Sequence, residues 1–243
     1  MRPHHIALGI LATLTILQVQ EELKPVYELR QEEALIEIRK EIIEEQKPVV
    51  VQRLDVRPQS KIPKFQGPGL EYIGMIYPYA KALEKDGIPP SITIAQAMTE
   101  TGNGRSRLAR LHNNHFGIKI FTGWRGKSVP MHDDGPDDRF CEFKTLEHCF
   151  QVRRVFLERG RYAPIRAKRF DRQHFSKYRY NSNDPNFTAK LNRLEKNWDN
   201  PRIRWALALD IVGYATDNRY AEKLLDKIDR HNLHIADADF TPE

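Results

Sequence analysis

The stretch Pro89-Pro90-Ser91-Ile92-Thr93-Ile94-Ala95-Gln96-Ala97-Met98-Thr99-Glu100-Thr101-Gly102-Asn103-Gly104 decides how the chain is read. Paired prolines suit the first turn of a helix, where a missing N–H costs nothing. Ile92, Ala95 and Met98 then recur at helical spacing, and Gly102 stops the run. Glu100 therefore stands near the carbonyl end of a helix. That end carries partial negative charge, which disfavours a second negative charge and raises a carboxyl pKa. A raised pKa is what a general acid needs at neutral pH. Gly102 and Gly104 leave room for a large ligand to approach. Taken alone, the residue still reads more simply as a solvated glutamate at a helix end.

Outward from this helix the pattern stays helical. Tyr72, Ile73, Ile76, Tyr77, Ala80 and Leu83 predict a helix from Glu71, stopped at Asp86-Gly87. Residues 103 to 112 add a helical turn. Residues 113 to 144 are rich in Gly, Asp and Asn and read as a short hairpin or irregular lobe. Helices are predicted over Leu146 to Leu157, Ile203 to Val212 and Tyr220 to Ile228. Ala221, Leu224, Leu225 and Ile228 form the stripe of the last, with Thr216 or Asp217 as its cap. A basic insertion at about 165 to 200 reads as a rim for a groove or a mobile loop. The domain is mainly α (α+β).

Several residues in the lobe carry two readings each. Asn113-Asn114-His115-Phe116-Gly117-Ile118-Lys119 suits a turn that bonds its own backbone, with Phe116 either plugging the core or meeting a ligand. Trp124 beside Gly126 is a sugar-stacking platform or a core tryptophan. The cluster Asp133-Asp134-Gly135-Pro136-Asp137-Asp138 holds a second catalytic carboxylate or is a solvated turn. Its spacing lacks the ligand alternation of a calcium loop. Tyr214 either faces a cleft or completes the core.

The whole chain sets outer bounds. Its 243 residues allow one ordinary domain and an extension. A net charge of +6 draws it to anionic partners. Nucleic acid is not expected, because no Lys/Arg run interleaves with aromatics. Cys141 and Cys149 lack zinc spacing, a disulfide between them is open, and Cys149 reads as a small buried hydrophobe. His112 and His115 read as structural, so no metal and no cofactor is expected. Residues 1–20 read as a signal peptide or membrane anchor without a small-residue cleavage site. Residues 21–47 read as an amphipathic helical stalk, 48–70 as a Pro-rich linker, 71–232 as the catalytic domain and 233–243 as a tail. The expected location is the cell envelope, periplasmic or secreted, with the N-terminal segment as a tether to the inner membrane if it is not cleaved.

Four segments in order resemble glycoside hydrolase family 73, the glucosaminidase domains of autolysins. They are Ile94-Ala95-Gln96-Ala97 to Thr99-Glu100-Thr101-Gly102-Asn103-Gly104-Arg105-Ser106; Asn113 to Lys119; Trp124-Arg125-Gly126; and Gly213-Tyr214-Ala215-Thr216-Asp217 followed by Tyr220. The form looks like that of Bacteroidetes-type bacteria. The resemblance implies a lysozyme-like fold, with a helical lobe, a small β-lobe hairpin and a groove between them. It implies hydrolysis of the β-1,4 bond after N-acetylglucosamine in peptidoglycan, whose glycan strands are the expected partner. Glu100 then matches the essential acid and Tyr214 the groove tyrosine. Asp133 or Asp134 matches the second carboxylate, Asp133 being slightly preferred. Gln96, Asn114, Phe116 and Trp124 are expected to contact the glycan. In the related branch a Cys follows Phe-Gly-Ile-Lys; this chain has Ile120 there, so Cys141 lacks that candidate partner. A lytic transglycosylase, a catalytically inactive wall-binding module and a chitin-cleaving enzyme of the same fold remain as alternatives.

Overall fold

A computed structural model of the chain describes residues 52–57, 62–131, 138–181 and 184–240. They all fall in one unit, Pro48–Glu243. The expected leader, the stalk and the hairpin tip with Asp133 and Asp134 lie outside the described residues.

Helix α1 spans Leu70–Ala82 and buries Tyr72, Ile73, Ile76, Tyr77 and Ala80. Helix α2 is Pro90–Thr101, with proline in its first turn and Gly102 closing it at φ 57°. The predicted stripe understates its burial. Every residue from Pro90 to Met98 is buried, because α1, two later helices and the C-terminal turn all pack around it. Thr99 and Glu100 alone in its last turn are half-buried. Helix α3, Arg107–His112, starts where the Ser106 hydroxyl accepts from Ala109 N. Strands β1 (Ser128–Pro130) and β2 (Arg139–Cys141) form an antiparallel hairpin with Val129 opposite Phe140. Ile118 and Ile120 also bond along β2, through Cys141 N to Ile118 O and Ile120 N to Arg139 O. Helix α4 is Leu146–Leu157, capped by Thr145. The result is a helical body with a small hairpin lobe and a groove between them, as the resemblance implied.

The region of 165 to 200 is neither rim nor loose loop. It folds as α5 (Arg172–Ser176), a short 3₁₀ turn and α6 (Phe187–Lys196). Phe175, Phe187, Leu191, Leu194 and Trp198 are buried in the same core as α2. Helix α7 (Pro201–Ile211) and α8 (Tyr220–Arg230) follow. The cap expected from Thr216 or Asp217 comes from elsewhere: the Asp210 carboxylate, at the end of α7, accepts from Ala221 N at 2.9 Å.

Two expected boundaries move. Residues 233–237 are not tail. Leu233 and Ala236 are buried, and Asp237 accepts from both Ser91 N and Ser91 Oγ at the start of α2. The stretch expected as a linker also packs on the domain, since Leu54 is buried and Phe65 meets Tyr77 edge-on at 5.5 Å. Both cysteines are free and buried, and burial pushes each thiol up to about 12, so neither is a thiolate at neutral pH. His115 is buried against Tyr72, and burial pushes its pKa down to about 4. It is therefore neutral at pH 7, consistent with a structural histidine.

Gly104 fixes the loop after Glu100. Its φ is +79°, and a Cβ there would stand 2.4 Å from Tyr72 Cδ2. Tyr72 cannot yield, because its hydroxyl is held by His115 and Thr101. Gly104→Ala should therefore cost about 1–3 kcal/mol of stability through overpacking and backbone strain. Thermal unfolding of the variant checks this; an unchanged midpoint would show that the loop relaxes freely.

Candidate active site

A groove of about 600 Å³ runs between the helical body and the hairpin lobe. Helix α2 presents Glu100 to it from one side, and the turn before α8 presents Tyr214, Ala215 and Thr216. Ile118, Ile120, Phe121, Met131 and Phe140 face it from the hairpin side. Among the described lining residues Glu100 is the one carboxylate, while Arg107, Lys119 and Arg161 supply positive charge.

Glu100 is held from below. The Tyr220 hydroxyl donates to its Oε1 at 2.6 Å. Tyr220 is 2% exposed, and burial followed by the Glu100 charge holds its phenol well above the usual range. It is therefore a neutral donor at any physiological pH. Tyr220 stacks on Tyr214, with ring centroids 5.7 Å apart and planes at 18°. The Tyr214 phenol is pushed up by the same two causes, and its hydroxyl donates to the Phe116 carbonyl at 2.9 Å. Opposite Glu100 lies Gly117, at φ +61°, where a Cβ would sit 3.4 Å from Glu100 Oε2. Helix-end carbonyls are only part of this environment, because Met98 O accepts from Gly102 N and Asn103 N.

Under the site lies an arginine that sequence reasoning passed over. Arg153 on α4 is fully buried, donates to Gln96 Oε1 from Nε at 3.0 Å and from Nη2 at 2.5 Å, and reaches Thr93 Oγ1 at 3.3 Å. Its guanidinium stands 4.6 Å from the Phe116 ring centroid. Burial pulls its pKa down to about 10, which leaves it cationic, and the nearby Glu100 charge acts against that pull. Its position was a usable signal. Arg153 follows Phe150 by three and Cys149 by four, so it stands on the apolar stripe of its helix.

The residues expected to contact glycan need sorting. Gln96 has no exposed surface and serves Arg153. Asn114 is likewise buried, and its amide organises the loop: Nδ2 donates to Ile118 O and Cys141 O, and Oδ1 accepts from Ile118 N. The Phe116 ring is 1% exposed and packs on Phe150, so only its backbone reaches the groove. Trp124 is half-buried among Phe121, Phe143 and His148, and donates from Nε1 to Lys127 O. Its ring covers Gly126, where a Cβ would fall 2.3 Å from Trp124 Cζ2, so the Trp-x-Gly pattern is a packing unit. The aromatic lining comes from Phe121, Phe140, Phe156, Tyr162 and Tyr214 instead. Glu100 and Tyr214 do meet at one groove; Asp133 and Asp134 lie outside the described residues. Among the described residues no group of three or more His, Cys, Asp or Glu could hold a metal ion.

A helical body, a hairpin lobe and a groove with Glu100 as the one carboxylate of its described lining form the site. The chain belongs to the mannosyl-glycoprotein endo-β-N-acetylglucosaminidase family, whose model matches residues 77–233. It is 30% identical over 174 residues to the peptidoglycan hydrolase FlgJ of Vibrio cholerae, covering 69% of this chain and 46% of that one. It is 30% identical over 160 residues to the exo-glucosaminidase LytG of Bacillus subtilis, covering 62% and 46%. The chain thus spans about half the length of these relatives. Among solved structures it is similar to the catalytic domain of the Listeria monocytogenes autolysin Auto, at 24% identity and TM-score 0.46, covering 74% of this chain and 91% of that one. The glycoside hydrolase domain of Salmonella typhimurium FlgJ gives 21% identity and TM-score 0.44, covering 71% and 92%.

Proposed function

We propose that this chain hydrolyses the β-1,4 bond after N-acetylglucosamine in the peptidoglycan backbone, with Glu100 as general acid. The observation that carries this is the single described carboxylate of the groove, seated on a buried neutral phenol and facing Gly117. Membership of a glucosaminidase family supports it. Glu100 protonates the leaving glycosidic oxygen. The anomeric carbon is then attacked by a water activated by Asp133 or Asp134, giving inversion, or by the substrate's own 2-acetamido oxygen, giving retention. Arg107 and Arg161, both exposed on the groove, suit an anionic wall polymer better than neutral chitin. Residues 1–20 fit export to the cell envelope as a signal peptide or a membrane tether. No helix of the described residues is long and apolar enough to cross a membrane, and residues 1–20 lie outside them.

Mass spectrometry of muropeptides released from purified sacculi tests the reaction. Fragments with reducing-end N-acetylglucosamine and one added water are expected. Anhydro-muramic ends would instead make the protein a lytic transglycosylase, and binding without release would make it a wall-binding module.

A further inference from the structure

We infer that Arg161 is a specificity-determining residue of the groove, gripping a carboxylate carried on the lactyl arm of the N-acetylmuramic acid beside the cleaved bond. This rests on the reading of the chain as a peptidoglycan hydrolase. Cleavage after N-acetylglucosamine puts a muramic acid directly beyond the broken bond, so its lactyl arm reaches the same groove. The sugar rings of the backbone are neutral. Negative charge enters the repeating unit at that arm, on the stem peptide where one is attached and on the lactyl group itself where none is. A cation built into the groove therefore finds its partner there, as a charge-assisted hydrogen bond to a carboxylate.

Arg161 is built in at both ends. It stands in the 3₁₀ turn Gly160–Arg166 and is exposed on the groove. Its Nη1 donates to Val212 O at 3.0 Å and would stand 3.8 Å from a Cβ on Gly213. Gly213 leads straight into Tyr214, Ala215 and Thr216, which line the groove. The guanidinium lies 5.2 Å from the centroid of the Tyr162 ring, which is 4% exposed and 6.0 Å from the Tyr214 ring. His174 Nε2, on α5, donates to the Arg161 carbonyl at 3.2 Å, so the basic insertion holds the backbone of the same residue. Head and backbone are thus fixed before a ligand arrives, which lowers the ordering cost of binding. One N–H of the planar fork goes to Val212 O, and the fork keeps others for a carboxylate. Arg154, Arg166, Arg172, Arg193 and Arg230 each pair with a carboxylate of the protein. Arg161 meets none among the described residues. Of the other groove cations, Lys119 is taken by Asp138 at 3.0 Å, and no bond among the described residues fixes the Arg107 head.

Val212 also closes α7, so its bond to Arg161 serves the helix end as well. The experiment separates that service from recognition. Binding is measured on full-chain Glu100→Gln protein, so that no ligand is consumed, with three ligands of equal length. They are peptide-bearing glycan strands, strands freed of peptide by an amidase (which leaves the lactyl carboxylate) and neutral chitin oligomers. Adding Arg161→Gln should weaken binding of at least one charged strand about tenfold, the scale of a charge-assisted hydrogen bond, and leave chitin binding unchanged. Loss confined to the peptide-bearing strand assigns the carboxylate to the stem peptide, and loss on the denuded strand assigns it to the lactyl group. Arg107→Gln removes the same charge from the same groove and should cost clearly less. Equal weakening on all three ligands would leave Arg161 as a support for the end of α7 and overturn the inference. Unchanged binding of both charged strands would overturn it too, as would equal losses from Arg107→Gln and Arg161→Gln, which would leave only the groove's net charge. A wild-type protein that binds the strands but releases no muropeptides would sink the proposed function instead, and the binding constants would still decide Arg161.

Discussion

Glu100→Gln lowers muropeptide release from sacculi by about 10²- to 10⁴-fold, the usual share of a general acid, while sacculus binding and the thermal midpoint stay near wild type. The structure explains why the two effects separate. The amide oxygen of the variant can still accept from the Tyr220 hydroxyl, so the hydrogen bond now spanning 2.6 Å survives. The amide nitrogen takes the place of Oε2 beside Gly117 with no extra atoms to seat. The groove keeps Arg107, Lys119 and Arg161, so its attraction for an anionic polymer is unchanged. Only the ability to give up a proton is lost. Release rates and a sacculus pull-down, run side by side, measure the separation. Wild-type release from the variant would remove Glu100 from the mechanism, and loss of binding together with release would point to a folding defect.

Position and orientation were legible in the sequence to different degrees. The bounds of α4 were readable at both ends because a threonine cap and an apolar period are local signals. The stop of α2 at Gly102 was equally local. The order of the four motifs marked where the site lies, and Glu100 and Tyr214 do face the same groove. Motifs do not say which way a side chain points. Gln96, Asn114, Phe116 and Trp124 belong to the site's construction, yet each is turned into the protein by a partner distant in sequence: Gln96 by Arg153, Asn114 by Cys141, Phe116 by Phe150, Trp124 by Phe143. The basic insertion was misread for a similar reason. Its basic composition reads as a groove rim or a mobile loop, but Phe187, Leu191 and Leu194 make one face of α6 apolar, and Lys190 on that face pairs with Asp210 outside the segment.

The ion cluster around Lys190 carries the largest expected effect on stability. Lys190, on α6, bonds Asp184 at 2.6 Å and Asp210 at 2.8 Å, and also donates to the Asn218 carbonyl. Lys190→Met leaves two carboxylates, each with a side chain 6% exposed, without the cation between them. Breaking a buried pair costs about 3–5 kcal/mol. About 3 kcal/mol is expected here, because the residual exposure lets water reach the carboxylates. For a domain of this size that lowers the thermal midpoint by roughly 6–12 °C. The pH dependence follows from direction. Burial works against the Lys190 ammonium, but the two carboxylates outweigh it and hold its pKa above the ordinary 10.5. Its contribution is therefore full below that value and is lost as pH rises through the raised one. On the acid side the carboxylates oppose each other. Burial raises Asp210, while at Asp184 burial is outweighed by the Lys190 bond, the Asn186 N–H and the Lys190 charge together, which lower it, so low pH gives no clean signal. The gap between wild type and Lys190→Met should accordingly hold from neutral pH to about 10 and close above it. Asp210 also ties this cluster to the site, because its second oxygen accepts from Ala221 N, next to Tyr220. Lys190→Met should then lower kcat as well, even at temperatures where the variant stays folded. A variant with the wild-type midpoint would show that water replaces the ammonium at little cost and that the insertion is held by its apolar face alone.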